Sequence, residues 1–266
     1  MRVQTEEWQR FIPGVRMYQG KMTLFYNGEK LWEGMGWSRP LIYDTRERRS
    51  WEVIIVLPGV EVVPEDAFVY CKNVKIVLMA DTVRRIEFRA FAYCRSLEFV
   101  KLSRNLEFIG VAAFSNCDSL TSIFIPPLCS EIGNEAFRTC FKLIIFHVPQ
   151  HTQLGNNVIA RTALMEASPF NTGTNGQYEE NNEEVNEWMK NRLADNQFSL
   201  HRACADFNPA EEVILDIIKR QGIGAFKKAD SVGVTASQYL LQNPFTTTKE
   251  EMIMKHFILD MMGELV

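Results

Sequence analysis

Several things are missing from this 266-residue chain, and each absence excludes a class of protein. No stretch approaches 18 consecutive apolar residues, the length a membrane-spanning helix needs. Residues 1–10 are polar and contain no apolar core of a secretory leader. There is no Cys-x-x-Cys pair for a zinc site and no Asn-x-Ser/Thr acceptor for glycosylation. No Gly-Lys-Ser/Thr loop, Gly-x-Ser-x-Gly elbow or His-Glu-x-x-His helix occurs. A basic footprint for nucleic acid is also lacking, since the net charge is −4. Residues 67–150 carry 10 Lys+Arg against 7 Asp+Glu (+3), and residues 151–197 carry 3 against 7 (−4); this asymmetry names no partner. An apolar content of 46% with 23% charge is that of an ordinary globular chain. These absences point to a cytoplasmic protein with no cofactor, no metal, no nucleic-acid partner and no membrane association.

What the chain does contain is one phrase in four copies. Ala67-Phe68-x-x-Cys71, Ala90-Phe91-x-x-Cys94, Ala113-Phe114-x-x-Cys117 and Ala136-Phe137-x-x-Cys140 follow one another every 23 residues. The apolar positions around the phrase share that period. Val63, Ile86, Ile109 and Ile132 precede the Phe by five residues, and Val74, Leu97, Leu120 and Leu143 follow it by six. Next come Val77, Val100, Ile123 and Phe146, and two residues later Met79, Leu102, Ile125 and Val148. The spacing of two is strand periodicity, and a fixed period in the twenties is that of a stacked solenoid. One coil cannot bury its own apolar face. Stacking turns the matched positions into ladders, with Phe68, Phe91, Phe114 and Phe137 as one of them. The phrase itself is expected in a short helical turn on the other side of the coil.

The pattern Ile109-Gly110-x-x-Ala113-Phe114-x-x-Cys117-x-x-Leu120-x-x-Ile123-x-Ile125-Pro126 resembles the BspA-like leucine-rich repeat. Glu87 and Pro64 stand where that pattern has Gly, and Ala80 and Ser103 where it has Pro. The resemblance implies an α/β architecture: a right-handed leucine-rich-repeat solenoid with a parallel sheet on its concave face, used for binding rather than for a shared reaction. Four cysteines sit on the ladder, where they are expected as small, buried, reduced side chains.

The chain divides into four parts. Residues 1–50 form an N-terminal cap, with Thr23–Tyr26 and Glu29–Trp32 as a hairpin about Asn27-Gly28, and Trp8, Trp32 and Trp37 covering the first coil. Residues 51–170 form the repeat domain, opening with the strand Trp51 to Leu57 and closing with a degenerate coil from Leu154 to Phe170. That coil reads Ile159-Ala160-x-x-Ala163. Residues 171–187, rich in Asn, Gly and Glu, form a flexible acidic linker. Residues 188–266 form a small all-helical domain. Leu200-His201-Arg202-Ala203-Cys204 and Asp230-Ser231-x-Gly233-x-Thr235-Ala236 resemble ankyrin turns. Pro209 opens a helix with Val213, Ile214, Ile217 and Ile218 on one stripe, and Thr248-x-x-Glu251 caps a last helix, Glu250 to Met262, whose Met252, Ile253, Phe257, Ile258 and Met261 pack onto the ankyrin-like pair.

A search for chemistry finds little. His201 and Cys204 meet at i and i+3 on a helix, a spacing open to a base and a nucleophile, but the preferred reading of His201 is a structural hydrogen bond between turns. His147 and His151 flank a strand with no third ligand at metal spacing. Gly222-x-Gly224 lacks the rest of a dinucleotide fingerprint.

The strand register is more informative. With Val100 and Leu102 inward, the outward rows are Val53, Ile76, Phe99, Ser122, Ile145 and Ile55, Leu78, Lys101, Phe124, His147. A solvated face alternates to polar residues, and these rows stay largely apolar. The predicted partner-binding face is Ile76, Leu78, Phe99, Lys101, Phe124 and His147. Three occupants fit it: a separate protein partner, the chain's own helical domain folded back, or a second copy. The preferred function is a non-catalytic protein–protein interaction scaffold. An enzyme or enzyme subunit using an interdomain cleft, and an extracellular adhesin of the kind the resemblance implies, are the alternatives.

Overall fold

The computed structural model describes residues 15–18, 21–28, 51–170, 182–206 and 211–244. Within them the 23-residue period becomes two parallel sheets back to back. The front sheet uses β3 (Val53–Val56), β5 (Ile76–Met79), β7 (Phe99–Lys101), β9 (Ser122–Phe124) and β11 (Ile145–His147). The back sheet uses the two-residue strands β4 (Val62–Val63), β6 (Arg85–Ile86), β8 (Phe108–Ile109), β10 (Glu131–Ile132) and β12 (Gln153–Leu154). Paired residues differ by 23: Val53 faces Ile76, and Ile76 faces Phe99. The last back-sheet step is 22, with Ile132 facing Leu154. The front ladder is in two parts, running through β7 and resuming between β9 and β11.

Between the sheets lies the core. The rings of Phe68, Phe91, Phe114 and Phe137 are fully buried and stack with centroids 5.0, 5.1 and 5.3 Å apart. Tyr26 closes the column edge-on at one end (5.1 Å) and Phe146 at the other (5.4 Å). Three of the four ladder cysteines donate their thiols to the Phe carbonyl of the preceding coil: Cys94 to Phe68, Cys117 to Phe91 and Cys140 to Phe114, at 3.2–3.4 Å. All six cysteines are buried thiols outside any disulfide.

The phrase is not the helical turn that was predicted. Its backbone alternates. Ala67, Val69 and Cys71 donate three residues back within their own coil, while Asp66, Phe68 and Tyr70 donate to Phe88, Ala90 and Ala92 of the next coil. Sending every second N–H along the stack requires left-handed backbone at Asp66 and Tyr70, and positive φ recurs at Arg89 and Tyr93, Ala112 and Asn116, and Glu135 and Thr139. The inter-coil bonds offset the strain of left-handed backbone at non-glycine residues. Glycine is needed where coils touch most closely. A Cβ on Gly133 would lie 2.6 Å from the Val111 nitrogen.

The closing coil is shifted by one residue from the predicted alignment. Phe137 donates to the Val158 carbonyl and Thr139 to that of Ala160, so Ile159 takes the Phe position and Thr162 the Cys position. Buried Thr162 then caps α1 (Ala163–Glu166), accepting from Met165 N.

Both ends of the stack differ from expectation. Thr23–Tyr26 is strand, within β2 (Lys21–Tyr26), but its antiparallel partner is β1 (Val15–Tyr18), before it in sequence. The other edge of β2 pairs in parallel with β3. Residues 29–32 and the three tryptophans Trp8, Trp32 and Trp37 lie outside the described residues. At the other end the predicted linker gives way to α2 (Asn182–Asn191). Its Val185, Trp188 and Met189 recur at i, i+3, i+4 and pack on the solenoid core; Trp188 meets Phe170 edge-on at 6.1 Å. Asn186 donates to the Leu154 carbonyl (3.2 Å), satisfying backbone that a following coil would otherwise pair. Residues 171–181 of the expected linker lie outside the described residues; over 182–187 the chain is helix instead, with a narrow apolar stripe that the acidic composition hides.

The remaining helices are α3 (Ser199–Ala205), α4 (Glu211–Gln221) and α5 (Ala236–Gln242), with short 3-10 turns at Asn196–Phe198 and Ile223–Lys227. They enclose a second core that includes Leu200, Cys204, Ile214, Ile217, Phe226, Tyr239 and Leu240. Ile214 and Ile217 lie on the α4 stripe as predicted, but Val213 is exposed. Asp230 orders the loop before α5, accepting from Val232 and Val234 N, and from the Tyr239 hydroxyl at 2.9 Å. The guanidinium of Arg192, just after α2, donates to the same hydroxyl (2.6 Å) and ties the solenoid cap to the helical module. The segment 250–262 lies outside the described residues.

Candidate interaction surface

The pleat of the front strands sorts their side chains. Ile54, Val77, Val100, Ile123 and Phe146 point inward and are at most 3% exposed, and alternate residues point away from the core. Within the outward rows, Ile55, Ile76, Leu78, Phe99 and Lys101 are half-exposed. They lie side by side, since Ile55 faces Leu78 and Leu78 faces Lys101, while Ile76 faces Phe99. The result is a small apolar surface on β3, β5 and β7 with one ammonium at its edge.

The same rows on β9 and β11 have a different environment. Phe124 and Ile145 belong to the second core and are 2% and 3% exposed, packed with the helical module. Ser122 Oγ donates to Gln242 Oε1 of α5 (3.2 Å). Of the six residues singled out from the sequence, Ile76, Leu78, Phe99 and Lys101 stay together on uncovered strand. Phe124 lies beneath the module, and His147 is half-buried at its margin, its ring 6.4 Å from that of Phe124. The fold-back of the chain's own helices, one of the three occupants considered, therefore accounts for the β9–β11 end. The gap between β7 and β9 falls where the cover begins, and no break in the outward rows signals it. Ile55, on the uncovered side, joins the face through its register with Leu78.

Burial holds the His147 imidazole down to about pKa 4; the Asp206 carboxylate raises it and the Arg192 guanidinium lowers it further. The ring is thus neutral near pH 7, as suits a residue beside an apolar interface. His201 is 1% exposed, and its Nε2 lies 2.8 Å from the Lys228 carbonyl. Cys204 is fully buried and burial pushes its thiol far up, so it forms no thiolate for nucleophilic work. His151 is exposed. Among the described residues no group of three His, Cys, Asp or Glu is placed to hold a metal ion, and no helix is long and apolar enough to cross a membrane.

Comparison with known proteins bears on the repeats. Residues 55–175 match the BspA type leucine rich repeat region in six copies, two more than the four complete phrases. A leucine-rich repeat protein from Bacteroides ovatus is 26% identical over 57% of this chain and 37% of its own, with a TM-score of 0.43. A leucine rich cell surface protein from Faecalibacterium prausnitzii is 29% identical over 38% of this chain and 27% of its own, TM-score 0.37. The leucine rich repeat protein of T. pallidum is 22% identical over 57% of this chain and 67% of its own, TM-score 0.41. The match thus spans about a quarter to a third of the first two neighbours' length. No curated protein matches the chain.

Proposed function

Taking as premise that residues 55–175 are a BspA-type leucine-rich repeat region, we propose that this chain is a non-catalytic interaction module that binds a partner protein through the uncovered half of its front sheet. A repeat region of this family fits a protein-interaction or surface role. The finer reading rests on one observation: five adjacent outward residues on β3, β5 and β7, four of them apolar, stay half-exposed where a solvated face would alternate to polar. Ile76, Leu78 and Phe99 supply the apolar contact and Lys101 a charged rim. Phe124 and His147 enter only at the margin of the helical module. Stacked coils make a stiff platform, so little ordering entropy opposes docking.

The test replaces Phe99 with Asp and compares the proteins that the tagged full-length chain and the variant retain. Loss of a specific retained protein by tenfold or more, with an unchanged circular dichroism spectrum, supports the reading; an identical retained set overturns it. We further read the helical module as ankyrin-like, on the bond from His201 to the Lys228 carbonyl between successive turns, and place the chain in the cytoplasm, which suits six buried cysteines outside any disulfide. A crystal structure of the full chain checks the first, and imaging of the tagged chain the second.

A further inference from the structure

The back sheet carries a second apolar surface. Val63, Ile86, Ile109 and Ile132 are fully buried in the core, so Val62, Arg85, Phe108 and Glu131 point away from it. Val62 faces Arg85 and Arg85 faces Phe108 across the ladder, and the Arg85 guanidinium lies over the Phe108 ring, 4.1 Å from its centroid. In the turn that follows these strands, Phe88 and Val111 are equivalents on neighbouring coils, joined by the bond from Arg89 N to the Val111 carbonyl. Val62, Phe88 and Val111 are three of the six exposed large hydrophobic residues among those described, and Phe108 beside them is half-exposed. The apolar exposure of the solenoid thus gathers on two opposite sides of one core.

The two sides complement each other in pitch and in charge. Both are built from the same coils, so their side chains recur at one spacing, about 4.8 Å per coil. Ile55, Leu78, Ile76 and Phe99 of one chain therefore match, rung for rung, the Val62–Phe108 and Phe88–Val111 rows of another. On the back, residues 61–66, 84–89, 107–112 and 130–135 carry 3 Lys+Arg against 7 Asp+Glu (−4). The three arginines are held by Glu107, Glu87 and Asp66, while exposed Glu61, Glu65 and Glu131 make no ion pair among the described residues. On the front, residues 51–57, 72–80 and 95–103 carry 4 against 2 (+2). Lys75 pairs with Glu52 and Arg95 with Asp118; Lys72 and Lys101 make no ion pair among the described residues, and Glu98 is the one carboxylate on this side so placed. Unpaired cations on one side meet unpaired carboxylates on the other, which favours a front-to-back contact over a front-to-front one.

We propose that the front face docks on the back face of a second copy of this chain. The proposal rests on the reading of the front face as a docking surface and names its occupant. Phe99 and Leu78 lie against Phe88 and Phe108, and Lys101 reaches the Glu61–Glu65–Glu131 side. The contact is heterologous: each copy uses its front and leaves its back for the next, so copies add in a line rather than closing as a two-fold dimer. The patches are small, which makes the association weak and concentration-dependent.

The test is sedimentation velocity of the untagged full-length chain at about 10 and 200 μM. The expected result is dimers and longer species at the higher concentration. Phe99→Asp, which spoils the front, and Phe88→Asp, which spoils the back, are each expected to weaken association at least tenfold with an unchanged circular dichroism spectrum. Mixed together, the two variants should form dimers that do not extend, because one brings an intact back and the other an intact front. Leu78→Asp and Val111→Asp serve as a second pair should either first variant misfold. A wild-type chain that stays monomeric, association that Phe88→Asp leaves intact, or a mixture that stays monomeric overturns the proposal. Its failure is distinct from that of the front-face reading. A monomeric chain that loses a retained protein in Phe99→Asp removes the self-association alone, and association indifferent to Phe99→Asp with an unchanged retained set removes both.

Discussion

Phe114 shows how the repeat acts on a single side chain. It is fully buried and lies between Phe91 and Phe137, nearly parallel to both at 5° and 2°. Alanine there removes a ring that two coils share, in backbone that cannot close up because its N–H groups are committed along the stack. Phe114→Ala is expected to cost about 3–5 kcal/mol, measured by denaturant unfolding. His147 is the second informative residue. Its pKa is about 4 in the folded chain against 6.5 without the fold. A lowered histidine pKa means that the unfolded chain takes up the proton first. The stability is fully present above pH 6.5 and is lost as pH falls toward 4. Between pH 7.5 and 5 this one group is expected to remove about 2 kcal/mol. His147→Gln should flatten that part of the stability–pH curve, and the difference between the two curves isolates it from the carboxylates.

Among the elements, α2 decides how the stack ends. A solenoid coil with no successor exposes its core and an unpaired strand edge. The segment covers the first with Trp188 and Met189 and the second with the side-chain amide of Asn186, which donates to the Leu154 carbonyl; Gln150 of the stack in turn donates to the Lys190 carbonyl of the helix. Half-buried Trp188 carries much of the apolar contact, and Trp188→Ala is expected to cost about 1–3 kcal/mol, read as a lowered melting temperature of the whole chain. The pairing of β2 makes the corresponding point at the other end. Thr23–Tyr26 carries strong strand composition, but its neighbours are chosen by the sheet it joins rather than by the Asn-Gly turn beside it.

At the level of the whole molecule, several surface ion pairs repeat the period of the core. Lys75 with Glu52, Arg84 with Glu107, Arg89 with Asp66, Arg95 with Asp118 and Arg104 with Asp81 each join residues 23 apart. All are substantially exposed, and such pairs contribute roughly 0–1 kcal/mol each. The stack is therefore held by its apolar and backbone ladders. Raising sodium chloride from 0.05 to 0.5 M is expected to move the melting temperature by only a few degrees, whereas a loss of ten degrees or more would assign the stack to its charges.

The sequence alone determined the coils, their order and the ladders within them. When a period repeats, each side chain's neighbours are its own equivalents 23 residues away, so Phe91 beside Phe114 and Val77 beside Val100 follow from spacing. It also determined that the outward strand rows are largely apolar. The back sheet was not legible, because two-residue strands are too short to carry a period. The left-handed residues were not either, because Asp66, Arg89, Ala112 and Glu135 share no side-chain type that demands positive φ; the next coil's carbonyls demand it. Only the tertiary structure divided the front face, covering Phe124 and Ile145 and leaving Phe99 and Leu78. That division depends on contacts between the solenoid and helices outside its repeat, and packing between unlike segments leaves no periodic trace in either one.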